Sequence, residues 1–179
     1  MRSISLDETV QQLGRTPATL SVWLADLSPA AWQSPEAPGA WSPFEVLCHL
    51  LHAEDEDWVP RVRILLQPAG PRRFTSFNRE GGMATYGRRP PHDLLDLFAT
   101  KRRANLAILA GLQISPDTLA RTATHPELGE VTLGQLLACW VTHDLAHTAQ
   151  IARGLVRYHG DHVGPWRAFF RQLRDPREA

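Results

Sequence analysis

The chain has 179 residues, 43% of them apolar, enough for one domain over 1–179 with a sizeable core. Its 19 Lys and Arg balance 19 Asp and Glu, which excludes the broad basic field of a protein that binds nucleic acid through charge alone. Met1 to Val10 holds no apolar core of a secretory signal and no run of about 18 apolar residues follows, so the expectation is a cytoplasmic protein with no membrane span.

Helix signals then follow one another along the chain, and no strand pattern competes with them. Ser5 with Glu8 forms a capping box, in which side chains satisfy the backbone N–H groups left unpaired at a helix start, and predicts a first helix over 5 to 26. After a polar link, Ser28-Pro29 to Gly39, a second box of Ser42 with Glu45 heads a helix over 43 to 66. Pro43 suits its first turn, and Pro60 should end or kink it. Gln67 to Arg89 is a long insertion rich in Gly and Arg, either a lid or a solvated loop. Pro90-Pro91 opens a third helix over 92 to 112, with Leu94, Leu95, Leu97, Phe98 and Ala104 at helical spacing. A second Ser-Pro link, Ser115-Pro116 to Glu130, leads to Thr132 with Gln135 and a fourth helix over 132 to 158. A last short helix over 165 to 173 follows the break from Gly160 to Gly164. The reading is all-α: four long helices and a short extra C-terminal one.

The chemistry lies in the histidines. His143 and His147 are four apart inside the fourth helix, so they point the same way about one turn apart, close enough to share a metal. His147 falls within the apolar stripe of Leu133, Leu136, Trp140 and Ile151, and His143 near its edge. His49 lies amid Val46, Leu47, Leu50 and Ala53 on the second helix. Three inward imidazoles from two helices make a divalent metal site; core histidines hydrogen-bonded to other helices are the alternative. Glu54, Asp55 and Asp57 read as a solvated charged face. His52 is a candidate fourth ligand or a bundle-edge histidine. His92, His125, His159 and His162 sit at helix ends and in links.

Two segments resemble a known family. Trp41-Ser42-Pro43-Phe44-Glu45-Val46-Leu47-Cys48-His49-Leu50 is similar to the W-S-x-x-E-x-x-x-H-L signature of the DinB-like proteins. Gly129 to Leu137, followed by His143-Asp144-Leu145-Ala146-His147-Thr148-Ala149-Gln150-Ile151, is similar to that family's G-x-x-T-x-x-x-L-L and H-x-x-x-H-x-x-Q-I patterns. The resemblance implies a four-helix bundle, homodimeric in many members, with His49 as the metal ligand of the second helix and His143 and His147 as those of the fourth. The ion varies in the family among zinc, nickel and iron. The activities it implies are metal-dependent hydrolysis and transfer or isomerisation with low-molecular-weight thiols such as mycothiol.

Three imidazoles suit a catalytic ion better than a structural one, because a closed structural zinc has four protein ligands. The open position would take water or a substrate thiolate. Around it, Glu45 and Glu56 are candidate general bases, with capping or ion pairing as their other uses. Asp144 is a candidate to orient an imidazole or to pair with an arginine. Cys48 and Cys139 read as buried packing thiols, and Trp41, Trp58, Trp140 and Trp166 as core or pocket wall. Arg72, Arg73, Arg79, Arg88 and Arg89 could meet an anionic small-molecule substrate or thiol cofactor if the insertion borders the pocket. The expected function is a thiol-dependent S-transferase or a hydrolase; the alternative is a non-catalytic stress-response protein that binds metal or a small molecule.

Overall fold

The computed structural model describes residues 5–173. The first long helix, α1 (Leu6–Leu24), starts where the Ser5 hydroxyl accepts from the Glu8 N–H, and buries Thr9, Leu13, Thr16, Leu20 and Leu24 at helical spacing. A single turn, α2 (Pro29–Trp32), capped by Ser28, occupies the first link. Ser42 and Glu45 form the reciprocal box that starts α3 (Pro43–Glu56). The helix expected over 43 to 66 is interrupted at Asp57 and resumes as α4 (Trp58–Leu66), with Pro60 in its first turn. A proline three residues further on lacks the N–H that would continue the ladder back to α3, which accounts for the break.

The insertion is ordered. Its start pairs alongside a two-stranded ribbon through a bridge between Arg73 and Thr124, and its end forms α5 (Gly81–Tyr86) against α3. Beyond it run α6 (Pro91–Gly111) and a short α7 (Pro116–Leu119). The ribbon itself, β1 (Thr122–His125) and β2 (Gly129–Thr132), is antiparallel, with Thr122 opposite Thr132 and His125 opposite Gly129. It lies in a stretch read from sequence as a plain link, because four-residue strands are too short to show an alternation. The ribbon runs straight into α8 (Leu133–Gly160) through the capping box of Thr132 and Gln135. The segment expected as a C-terminal helix is present as two 3-10 turns, Gly164–Phe169 and Arg171–Leu173.

Four long rods, α1, α3 continued by α4, α6 and α8, make a four-helix bundle. Here α1 packs on α6 and α8, and α3 also packs on α6 and α8. The links 25–42 and 112–132 therefore carry the chain diagonally across the bundle, and this places α3 beside α8. Among the described residues no helix is long and apolar enough to cross a membrane.

The bundle centre is not wholly apolar. Arg102 of α6, 1% exposed, donates to Glu54 of α3 at 2.8 and 3.1 Å, to Asp144 of α8 at 3.0 Å and to the Leu13 carbonyl of α1 at 2.8 Å. Thr16 of α1 donates to Asp144 at 2.6 Å, and Asn105 donates to the Glu54 backbone and carboxylate. Burial works against the Arg102 charge, but Asp144 and Glu54 outweigh it and strengthen the guanidinium's hold on its proton. Thus the solvated face expected at Glu54, Asp55 and Asp57 is corrected. Glu54, 3% exposed, faces inward to a buried arginine, Asp57 is buried beside Arg61, and only Asp55, bonded to Tyr86 and Lys101, is part-exposed. A charge on that face is tolerated because its partner arrives from a helix 48 residues on, which local spacing does not reveal.

Candidate metal centre

His49 sits in the second turn of α3, and His143 and His147 one turn apart on α8, where the bundle sets these helices side by side. The rings converge. His49 Nε2 lies 2.9 Å from His143 Nε2, and centroids are 4.7 Å apart for His49 and His147 and 4.4 Å for His143 and His147. One nitrogen from each ring lies within 4.8 Å of the others, a group that could hold a metal ion.

The surroundings favour the ligand form of each ring. Burial, and then His147, lowers His49 to about 4; burial, followed by His147 and His49, lowers His143 to about 2; burial also lowers His147. At neutral pH all three are uncharged and keep a lone pair for a cation. Two of them turn Nδ1 away from the cluster. The Nδ1 of His147 is 2.9 Å from Gln150 Oε1, and that of His49 is 3.3 Å from the Arg79 carbonyl oxygen. A proton on Nδ1 at each leaves Nε2 bare toward the centre. Among the described residues His143 Nδ1 is buried with no partner.

Aromatic walls hold the rings. Trp41 packs on His49 at 4.7 Å and lies nearly parallel to His147 at 6.1 Å. Trp58 meets His143 edge-on at 5.1 Å and Phe77 meets His49 at 5.8 Å. Phe77 and Arg79 belong to the insertion, which therefore borders the cluster as a lid would.

The remaining candidates are elsewhere. His52 packs on Phe77 with the rings tilted and lines a separate small cleft with Glu56, Arg61 and Thr75, and Glu56 is exposed there. Glu45 is spent on the Ser42 cap, accepting from its N–H and hydroxyl at 2.8 Å. Asp144 takes the arginine option, held by Arg102 and Thr16. Cys48 is buried, its thiol pushed up to about 12, but the burial expected of Cys139 is corrected: it is exposed, because α8 turns that side of the turn before His143 to the surface. Trp166 likewise is not core but 67% exposed, on the first 3-10 turn.

Reasoning from sequence missed Arg102, the Arg79 carbonyl and the role of Gln150. Gln150 had a signal, since three residues after His147 on a helix is the same face; a main-chain carbonyl from an insertion has none.

The sequence profile of the DinB superfamily matches residues 12–151. Among solved structures, YfiT from Bacillus subtilis, described as a probable metal-dependent hydrolase with an unusual four-helix bundle topology, superposes with a TM-score of 0.74. Its identity is 22%, over 89% of this chain and 92% of that one. Two structures of a mycothiol-dependent maleylpyruvate isomerase, one of a mutant, give TM-scores of 0.62 and 0.61 at 13% and 12% identity, each covering 91% of this chain and 72% of the other. At such identities the likeness is one of fold. No curated protein matches the sequence.

Proposed function

The chain belongs to the DinB superfamily, and from that premise we propose that it is a metal-dependent enzyme that transfers a low-molecular-weight thiol, with His49, His143 and His147 as ligands of one divalent ion. The observation that carries this reading is the convergence of three neutral imidazoles, His49 buried and His143 and His147 half-buried, with ligand atoms within 4.8 Å. When bound, a zinc, nickel or iron ion there supplies Lewis acidity and a fourth position for a water or a thiol.

The chain's own residues favour the thiol. Activating water calls for a general base, and both carboxylates expected to serve are engaged or turned away, Glu45 in its cap and Glu56 on another cleft, while Asp144 is held by Arg102. A substrate thiol loses its proton far more readily than water, with a pKa of about 8.5 against about 15.7, so its thiolate forms with less help from a base. Trp41, Trp58 and Phe77 pack around the rings, and His49 and His147 are oriented through Nδ1. The guanidinium of Arg79, which has no ion-pair partner among the described residues and whose charge is felt by all three rings, adds attraction for an anionic substrate or cofactor. The hydrolase named for YfiT is the second reading, favoured by the closer superposition.

We also propose a homodimer in the cytoplasm. Trp23 of α1 and Phe170 line one apolar groove, and Trp166 and Phe169 pack together and stand exposed on the adjoining 3-10 turn, with Phe169 76% exposed; a second copy would cover this surface.

Elemental analysis of protein purified without a histidine tag, followed by an assay of mycothiol with chlorodinitrobenzene, tests the function. One divalent ion per chain is expected, with thiol consumption lost in His49→Ala, His143→Ala and His147→Ala. Stoichiometric metal on the triple variant overturns the ligand assignment. Metal-loaded protein that hydrolyses esters or amides but leaves thiols untouched overturns the transferase reading in favour of the hydrolase. Light scattering that gives a monomer overturns the dimer.

A further inference from the structure

His49 can offer Nε2 to the cluster only if its ring proton sits on Nδ1, and the acceptor for that proton is on none of the four long helices. It is the main-chain oxygen of Arg79, in the insertion. We propose that residues 77–82 are a strap that sets the tautomer and ring orientation of His49, and that Gly82 is the positioning residue that lets the strap reach it. The consequence for metal binding rests on the three-histidine reading above; the tautomer does not.

Local bonding holds the strap in shape. The Asn78 carbonyl accepts from the Gly81 N–H at 3.1 Å and its side-chain oxygen from the Glu80 N–H at 3.2 Å, a turn that has Arg79 at its tip. Phe77 packs on both His49 and His52. The two glycines then allow the approach. A Cβ on Gly82 would stand 2.5 Å from the Cys48 carbonyl oxygen and 2.9 Å from the His49 nitrogen, both main-chain atoms of α3 that cannot swing aside. A Cβ on Gly81 would meet the imidazole of His52, which can rotate away. Neither glycine has a positive φ, so it is the close approach, not the backbone conformation, that demands glycine here.

The three rings are thus controlled from different places. His147 is held by Gln150 on its own helix, His143 Nδ1 has no partner among the described residues, and His49 is held by the strap. Partners of this kind are worth roughly 10–100-fold in metal affinity, which puts control of the site in a segment outside the bundle.

Long-range proton–nitrogen NMR spectra of metal-free protein labelled at histidine report which ring nitrogen carries the proton, with His49→Gln identifying the signal. Zinc affinity comes from competition with a chromophoric chelator. Wild-type His49 is expected as the Nδ1–H tautomer. Gly82→Ala is expected to shift it toward Nε2–H and weaken zinc binding roughly 10–100-fold, with the helical circular dichroism retained. Gly81→Ala should do much less, and Gly81→Ala with His52→Ala nothing. Phe77→Ala, which loosens the strap without adding bulk, should move both readouts in the same direction and serves where Gly82→Ala does not fold. Wild-type tautomer and zinc affinity in either folded variant overturn the proposal. If wild type binds no zinc yet Gly82→Ala switches the tautomer, the strap stands and the metal reading falls.

Discussion

A buried imidazole resists protonation, and for His49 and His143 this makes the metal-free protein sensitive to acid. In the unfolded chain such a ring takes up a proton near pH 6.5; folded, His49 does so only near 4 and His143 near 2, burial being the main cause. Between those values the unfolded state binds more protons, so these groups leave stability untouched above pH 6.5 and erode it as the pH falls from about 6.5 toward 4. Urea titrations of metal-free protein at pH 7.5, 6 and 5 should show that decline, and the double variant His49→Gln/His143→Gln should flatten it; an equal slope in the variant would assign acid sensitivity elsewhere. Arg102 carries a second prediction. Removing one member of a buried ion network leaves its partners charged and unpaired, so Arg102→Ala should cost roughly 3–5 kcal/mol in urea denaturation, with Asp144→Asn in the same chain recovering part of it. The exposed pair of Arg153 and Glu36 should cost no more than about 1 kcal/mol when broken.

Helix starts announce themselves in this chain and helix contacts do not. Ser5, Ser42 and Thr132 each accept from the backbone N–H three residues on, because a cap is local chemistry. The convergence of His49, His143 and His147 was also legible, since inward histidines on two helices have few places to go. What was hidden depends on partners brought from afar: Glu54 looks like a surface charge until Arg102 arrives, the ribbon of 122–132 is too short to alternate, and the Arg79 carbonyl has no side-chain signature. Gly154 is a further case. On α8 it faces the link after α2, where a Cβ would stand 2.7 Å from the Ser34 carbonyl oxygen. Gly154→Val should therefore destabilise by about 1–3 kcal/mol through overpacking, read as a lower thermal midpoint, although helix propensity alone predicts a gain over glycine.

For the molecule as a whole, a ligand that binds the folded state alone raises stability by mass action. Zinc at 100 times its dissociation constant adds about 2.7 kcal/mol, which for a chain of this size is roughly 5–10 °C in thermal midpoint; the triple histidine variant should show no shift. The order of events in folding follows from where the three histidines sit along the chain. His49 and His143 meet across 94 residues, so nearly the whole bundle must be assembled before both are in place, and closing so long a loop early would be entropically costly. An ion held by these three histidines would then be a latch fastened at the end rather than a seed at the beginning. Stopped-flow measurements with and without zinc should show a slower unfolding limb and an unchanged refolding limb, the pattern of an interaction absent from the folding transition state. A cell short of the metal would accumulate this protein folded but quick to open, and protease sensitivity, not helix content, would register the shortage.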